Sequence, residues 1–333
     1  MTAENVTAAD PDTTVRAPVP SERRGPSSSA PRMLWGLVVL VAVSALALTT
    51  DGFVSVANAR AILSSVSFTG ILAVGTVVIM LSGNLFSLSI GTSAAVSSML
   101  FLYLLPDVGF VLAVLLTLVA GYATFALQGA IVGRLDGNAI IVTIGAGALQ
   151  VGAVTWLLPG SVQVPDGVDI GFLTRSVLGL PFPLYVFLAV ALLVQCWLHY
   201  SATGRQVELV GENKAAARAA GLPTGKLVTV AFAVAGLCTA ITGILLAGFN
   251  QNANLAVSGT FTFDAIAAAI VGGSSVIGGR GSAARAVLGA VIIATIANML
   301  LLRGFGTGVR VLVEGIVVVL VVVAAQRRKR SIA

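Results

Sequence analysis

Thr203–Lys226 reads TGRQVELVGENKAAARAAGLPTGK, and it is the main polar stretch between the two ends of a very apolar chain. Glu212 and Asn213 favour the start of a helix, the alanine-rich run 215–220 favours its continuation, and Gly221 favours its end. A helix of about two turns is too short to be stable alone in water. We therefore predict a short helix here that needs a protein surface to dock against.

The rest of the chain is too apolar for a soluble protein. Of its 333 residues, 57% are hydrophobic and 10% are charged, and the mean hydropathy is +1.01. Soluble domains carry about 25% charged residues. The formal net charge of +6 could indicate nucleic-acid binding, but the basic residues gather at the two chain ends and in 203–226. That distribution is typical of membrane topology, so we predict contact with membrane lipid and no nucleic-acid partner.

The two ends of the chain are predicted to be polar tails in the cytoplasm. Residues 1–32 are rich in Pro, Ser, Thr and Ala, so we predict a disordered N-terminal tail. Residues 327–333 form a basic C-terminal tail. Ala45-Leu46-Ala47 resembles a signal-peptide cleavage site, but the long polar leader and the many apolar runs that follow favour an uncleaved first span.

Ten apolar segments are predicted between the two tails. A bilayer core about 30 Å thick is crossed by roughly 20 helical residues. On that measure the segments are 33–50, 61–81, 88–105, 109–132, 139–158, 182–200, 227–248, 262–278, 283–302 and 309–325. Because ten is even, both termini and the polar stretch after the sixth segment fall on one side. We predict an all-α, multi-pass membrane domain over 33–326, with a cytoplasmic coupling loop at 201–226.

The connections predicted on the outer side are mostly short. The longest, 159–181, carries Asp166, Asp169 and Arg175 among several prolines and glycines. It is either a docking surface for an external partner or a solvated connector, and the sequence leaves both readings open.

Two glycine- and serine-rich stretches interrupt the helical pattern. The first break is Ser82–Gly91 (SGNLFSLSIG) and the second break is Gly272–Gly281 (GGSSVIGGRG). Irregular backbone is tolerated at membrane depth only where it is buried in protein or lines a wet cavity. Paired glycine-interrupted segments indicate a transport path, although two tight turns without a ligand are the alternative. The predicted path residues are Asn84, Ser87, Ser89, Thr143, Asp264, Gly272, Gly273, Ser274 and Ser275.

Two acidic residues lie inside apolar segments. Asp264, near the start of the eighth segment, either stabilises the first turn of a helix through the helix dipole or lines the path. Glu314 is expected to pair with Arg310 one turn earlier. Neither acid lies at the centre of a predicted segment. That position favours a transporter driven by ATP over one coupled to protons or sodium, which usually needs buried carboxylates in mid-helix.

The sequence predicts no catalytic or metal site and no bound cofactor. GGSSVIGGRGSA lacks the Gly-Lys-Ser/Thr of a phosphate-binding loop, so any ATP hydrolysis must occur on another subunit. His199 is the only histidine, and no nucleophile–base pair accompanies it. Cys196 and Cys238 lie in apolar runs and indicate neither a disulfide framework nor a zinc site.

Thr203–Lys226, followed by FDAIAAAIVGGSSVIGGRGS, resembles the permease subunits of bacterial ABC importers of the ribose and simple-sugar class. GNLFSLSIGTSAAV and NAIIVTIGAGALQVGA match less closely, and the resemblance covers most of residues 60–325. It implies a homodimer in the bacterial cytoplasmic (inner) membrane, two cytoplasmic ATPase subunits beneath it, and an external solute-binding protein that delivers a sugar. The residues it assigns to ATPase coupling are Gly211, Glu212, Asn213, Ala217, Arg218 and Gly221.

Two departures from that family leave the solute open. Ser87 stands where members of the sugar class often carry an acidic residue, and Ala139 stands where they often carry proline. Relatives in the wider superfamily carry branched-chain amino acids or nucleosides. The GENKAAARAAG segment resembles the sugar branch more, so a monosaccharide such as ribose is the predicted solute.

Overall fold

The computed structural model describes residues 50, 52–158, 160–164, 168–275 and 278–330. Its α-helices are α1 (Val56–Leu81), α2 (Ile90–Arg134), α3 (Ala139–Leu157), α4 (Phe182–Tyr200), α5 (Ala202–Glu212), α6 (Lys214–Ala219), α7 (Thr224–Asn250), α8 (Ser258–Val271), α9 (Ala283–Leu302) and α10 (Thr307–Arg330). Six of these, α1, α2, α3, α4, α7 and α9, are long and apolar enough to cross a membrane by length and composition. The predicted all-α membrane fold is confirmed.

The strands of the described residues are short and lie in the connections. They are β1 (Ser161–Gln163), β2 (Ser176–Val177), β3 (Leu180–Pro181) and β4 (Asn252–Asn254). β1 pairs antiparallel with β4, with Ser161 opposite Asn254, and β2 pairs antiparallel with β3. The β1–β4 pair joins the long 159–181 connection to the segment between α7 and α8. Single-turn 3₁₀ helices at Gly171–Thr174 and Leu255–Val257 complete these connections.

The third and fourth predicted segments form one 45-residue helix, α2, which is broken at Gly109. Gly109 has φ 75° and ψ 171°, and Pro106 just before it removes one backbone donor. A Cβ atom on Gly243 of α7 would lie 2.6 Å from the Ser97 side chain, while one on Gly121 would lie 2.7 Å from Ala240. Both halves of α2 therefore pack against neighbouring turns of α7, which requires the chain to fold back at Gly109.

Glycines allow α2 and α7 to approach each other closely. The GxxxG sequence Gly129–Gly133 is typical of tight helix packing. A Cβ atom on Gly129 would lie 2.6 Å from Cβ of Phe232, and one on Gly133 would lie 2.6 Å from the carbonyl oxygen of Gly225. α1 and α7 form the centre of the bundle, where side chains such as Ile71 and Phe232 are fully buried.

The connections gather at two ends as the predicted topology requires. At one end the coupling loop contacts both breaks and the α2–α3 connection. At the other end Nδ2 of Asn298 donates to Oδ1 of Asn58 at 2.9 Å, and β1 pairs with β4. The tail 1–32 and the first predicted segment, except Thr50, lie outside the described residues. At the C-terminus α10 extends to Arg330, so the helix includes the start of the predicted basic tail.

The predicted limits of the eighth segment, 262–278, are wrong at both ends. α8 begins at Ser258 and ends at Val271. It ends there because Gly273 adopts φ 87° and Ser274 N–H donates back to the carbonyl of Ala269 at 3.1 Å. The described part of the second break therefore comprises 272–275 and 278–282, and α9 begins after it. The first break runs from 82 to 89, close to its predicted limits.

Candidate coupling and pathway site

α6 is the short helix predicted from the polar stretch. Oδ1 of Asn213 accepts a hydrogen bond from the backbone N–H of Ala216 at 3.0 Å and caps the N-terminus. Gly221 adopts φ 80° at the other end, and the N–H of Leu222 donates to the carbonyl of Ala217 at 3.0 Å. Both ends of the helix are thus set by the residues that the sequence analysis singled out.

An ion pair from the α2–α3 connection holds α6 in place. Asp136 lies 2.7 Å from Nζ of Lys214 and 3.0 Å from the Arg218 guanidinium. The hydrogen bond and positive charge of Lys214, and then those of Arg218, hold the pKa of Asp136 below its usual value. Asp136 also adopts φ 51°, which is uncommon for a residue other than glycine. The sequence analysis did not select Asp136, because its partners lie 78 and 82 positions away.

We expect Asp136→Asn to loosen α6 and to lower solute uptake per ATP hydrolysed severalfold. The pKa of Asp136 is depressed, so its stabilising charge is present above the unfolded value of 3.8 and is lost only at lower pH. The effect of the substitution should therefore be constant between about pH 5 and 8, and high salt should imitate it in the parent protein. Asp169→Asn is the matched control, because Asp169 forms an exposed ion pair with Arg175 in the outer connection. Uptake per ATP hydrolysed by Asp136→Asn equal to that of the parent protein would contradict the anchoring role.

The coupling residues differ in which way they face. Glu212, Asn213, Arg218 and Gly221 are exposed and can be reached by a partner protein, although the Arg218 guanidinium also binds Asp136. Ala217 is 6% exposed and packs into the core of its own chain. A larger residue at Ala217 would therefore displace α6, so its effect on coupling would be indirect.

Glycines bring the end of α5 into backbone contact with both breaks. A Cβ atom on Gly211 would collide with the carbonyl oxygen of Leu81, and it would lie 2.7 Å from the nitrogen of Gly279 and 2.9 Å from that of Gly83. A Cβ atom on Gly279 would lie 2.6 Å from the nitrogen of Glu212. We call this contact of 83, 211–212 and 278–279 the glycine junction. It joins the coupling loop directly to the two stretches predicted to gate a path.

Three of the predicted path residues meet in one buried polar cluster. Ser87 and Ser89 lie 3.0 Å apart through their hydroxyls, and Thr143 Oγ1 accepts from the backbone N–H of Leu88 at 3.1 Å. The Ser89 hydroxyl donates to Oε1 of Gln128 at 3.0 Å, and Nε2 of Gln128 is buried without a partner. The sequence analysis missed Gln128, although an amide inside so apolar a helix was a usable signal.

The other predicted path residues lie apart from that cluster. Asn84 remains within the first break, where its Nδ2 donates to the Ser82 hydroxyl at 3.0 Å. Gly272–Ser275 follow α8 in the second break, and the Ser274 hydroxyl is buried without a partner. The N–H of Ser275 donates to the carbonyl of Arg280 at 2.7 Å, which closes the loop. Asn84 and Gly272–Ser275 thus belong to the breaks, but they do not form one surface with the buried polar cluster.

Asp264 lies in the middle of α8, so the prediction of a first-turn position is wrong. Its side chain is fully buried and pairs with the guanidinium of Arg310 on α10. Nε of Arg310 also donates to Oε1 of Glu314 at 2.9 Å, which confirms the predicted pair one turn apart. Asp264 Oδ1 and Glu314 Oε2 are buried and have no donor from another residue, and the two carboxyl groups interact directly with each other. The argument that no carboxylate lies in mid-helix therefore fails, because α8 begins earlier than the sequence indicated.

Comparison with known proteins identifies the family. The profile described as "Branched-chain amino acid transport system / permease component" matches residues 58–322, which include both breaks and the coupling loop. The chain belongs to this family. The permease is 28% identical to the ribose import permease protein RbsC of Escherichia coli over 304 residues, covering 90% of this chain and 94% of that protein.

Two further relatives come from the same organism. The permease is 31% identical to the probable ABC transporter permease protein YphD, over 87% of this chain and 88% of that protein. It is 28% identical to the autoinducer 2 import system permease protein LsrD, over 76% and 79%. No solved structure matches the chain. The permease is thus a multi-pass membrane component of an ABC importer, in which ATP is hydrolysed by a separate subunit and solute comes from a binding protein.

Proposed function

We propose that the permease forms, as a homodimer in the bacterial cytoplasmic membrane, the path of a neutral monosaccharide such as ribose. The observation that carries the proposal is the glycine junction, because it links the coupling loop to both breaks in the membrane domain. The names of the relatives support a sugar or a sugar-like solute, since one imports ribose and another autoinducer 2.

The proposed mechanism depends on the direct backbone contact between the coupling loop and the two breaks. The ATPase subunits would engage the exposed residues Glu212, Asn213 and Arg218, and their closure on ATP would displace α5 and α6. At Gly211 and Gly279 backbone meets backbone with no side chain between them. A displacement of α5 therefore reaches both breaks without being absorbed by rotamer changes, and it alternates the access of the path.

The exposed surface of α3, which faces away from the helix bundle, supports contact with lipid and with a second copy of the permease. Ile141, Leu149 and Trp156 are 70%, 76% and 85% exposed. Such side chains are stable only against hydrocarbon or another apolar protein surface. We propose that lipid covers part of this surface and a second permease covers the rest.

One observation favours a second candidate, an ion-coupled carrier. The buried Asp264–Arg310–Glu314 cluster places two carboxylates at membrane depth, as proton-coupled carriers do. Uptake that continues without the ATPase and stops when the proton gradient collapses would support this alternative.

The decisive experiment reconstitutes the permease with its cognate ATPase and its cognate binding protein. We expect no ATP hydrolysis by the permease alone, and ATP-dependent uptake of a labelled monosaccharide by the complex. Glu212→Lys should reduce uptake at least tenfold, or about 1.4 kcal/mol of coupling, while Asp107→Lys serves as the control, because Asp107 is an exposed carboxylate at the other end of the bundle. Uptake without ATP, or an unchanged Glu212→Lys complex, would contradict the proposal.

A further inference from the structure

We propose that a cavity at the outer end of α1, α7 and α8 is the site where the permease receives an uncharged polyhydroxylated solute. This inference rests on the proposed function and adds the place at which the solute first binds. The cavity lies at the end opposite α6 and has a volume of about 480 Å³. Pockets for small molecules usually measure about 300–1,000 Å³. Its lining consists of Ala61, Ser65, Phe68, Leu246, Phe249, Asn250, Asn252, Asn254 and Phe261.

Aromatic rings form one wall of the cavity. Phe68 and Phe249 meet edge to face, with ring centroids 5.3 Å apart and an interplanar angle of 68°. Phe249 is 49% exposed, and Phe261 at the start of α8 is partly buried. The face of an aromatic ring carries partial negative charge. It therefore attracts the weakly positive C–H groups on the apolar face of a sugar ring.

The polar part of the lining consists of the Ser65 hydroxyl and three amides, of which Asn252 and Asn254 lie on one strand. Asn252 and Asn254 alternate along β4 with Ala253, which is 1% exposed, so the two amides share the side of the strand that lines the cavity. Oδ1 of each asparagine is buried and has no hydrogen-bond partner. Unpartnered buried acceptors are uncommon in folded proteins and need an explanation. A carboxamide both donates and accepts, so each of these two could pair with a hydroxyl of a polyol once its covered oxygen rotates toward the cavity.

The absence of charge in the lining selects against an amino acid. None of the nine lining residues carries a charge. A zwitterionic solute would lose the hydration of its ammonium and carboxylate groups and gain no counter-charge in return. An uncharged sugar keeps its hydrogen bonds through the amides and its apolar contact through the rings. Within the chemistry that this family carries, the cavity therefore fits a monosaccharide better than a branched-chain amino acid.

The first test measures occupancy directly. Cys196 and Cys238 are the free cysteines, so they are first replaced in a Cys196→Ser, Cys238→Ala background. In that background Ser65→Cys places one thiol in the cavity. Labelling by a membrane-impermeant thiol reagent from the outer side should slow about tenfold in D-ribose at about ten times its Kd, because roughly one site in ten is then free. L-leucine should give no protection. Gly306→Cys, in the outer α9–α10 connection, should label at the same rate with and without sugar.

The second test measures transport in the assembled complex. The double variant Asn252→Ala, Asn254→Ala should lower the maximal rate of D-ribose uptake about tenfold, the value expected for two lost hydrogen bonds. Phe249→Ala should lower it as well, while Phe305→Ala, an exposed aromatic at the same end outside the cavity, should not. Assembly with the ATPase and basal ATP hydrolysis should remain unchanged in all of these variants.

The outcomes separate the two proposals. If the parent complex takes up D-ribose or another monosaccharide but Ser65→Cys is unprotected by it and the double variant transports normally, the cavity is not the receiving site and the proposed function stands. If the parent complex transports no monosaccharide, or L-leucine protects Ser65→Cys instead, both proposals are overturned.

Discussion

Gly211→Ala is expected to abolish uptake and to lower the stability of the permease. The added methyl group would collide with the carbonyl oxygen of Leu81 and would lie 2.7 Å from the nitrogen of Gly279. Both are backbone atoms, so no side chain can rotate to make room. Overpacking of this kind costs about 1–3 kcal/mol or more. The measurements are ATP-dependent uptake per folded permease in proteoliposomes and the melting temperature in detergent.

Gly308→Ala is the matched control for that substitution. Gly308 lies in the first turn of α10, and a Cβ atom there meets nothing within 4 Å. Replacing an unconstrained helical glycine by alanine usually stabilises a protein by about 0.4–1 kcal/mol. Gly308→Ala should therefore transport normally and melt at the same temperature or higher. If Gly211→Ala behaves as this control does, the glycine junction does not transmit motion.

Arg310→Gln is expected to cause the largest loss of stability of any single charge change in the described residues. The substitution leaves Asp264 and Glu314, which are 0% and 2% exposed, without their shared positive partner. Removing one member of a buried ion pair typically costs about 3–5 kcal/mol, because the remaining charge stays desolvated. Few molecules should accumulate folded in the membrane, and those purified in detergent should melt well below the parent.

Two further variants make this prediction specific to the buried cluster. The triple variant Arg310→Gln, Asp264→Asn, Glu314→Gln removes all three charges and should recover most of the lost stability. Arg175→Gln, which breaks the exposed pair with Asp169, should change stability by less than about 1 kcal/mol. A triple variant no more stable than Arg310→Gln would show that packing, and not charge, holds α8 against α10.

Local signals in the sequence were sufficient to predict the coupling helix and the two breaks. The ends of α6 depend on Asn213 and Gly221, whose effects reach only a few positions, and the breaks depend on runs of glycine and serine. Composition and segment length were likewise sufficient for the membrane fold and the grouping of connections at two ends. The resemblance in the coupling loop predicted the family, which the profile match confirms.

Contacts between distant positions could not be predicted in the same way. The partners of Asp136, the place of Gln128 in the polar cluster and the pairing of Asp264 with Arg310 each join separate helices. The helical limits of α8 were wrong because Ser258–Phe263 carries no strong start signal and the glycines after Val271 were read as part of the segment. The outer cavity was missed for a related reason, since its lining comes from three helices and a strand that meet only in the folded chain.

α7 begins five residues after α6 ends, and it ends two residues before β4 begins. Its 27 residues run without interruption, so a stiff rod about 40 Å long connects the inner and outer faces. A displacement of the inner end of α7 is therefore transmitted to its outer end. Such coupling is reciprocal. Binding of sugar at the outer face would therefore change the affinity of the permease for the ATPase by the same free energy with which ATP changes its affinity for sugar.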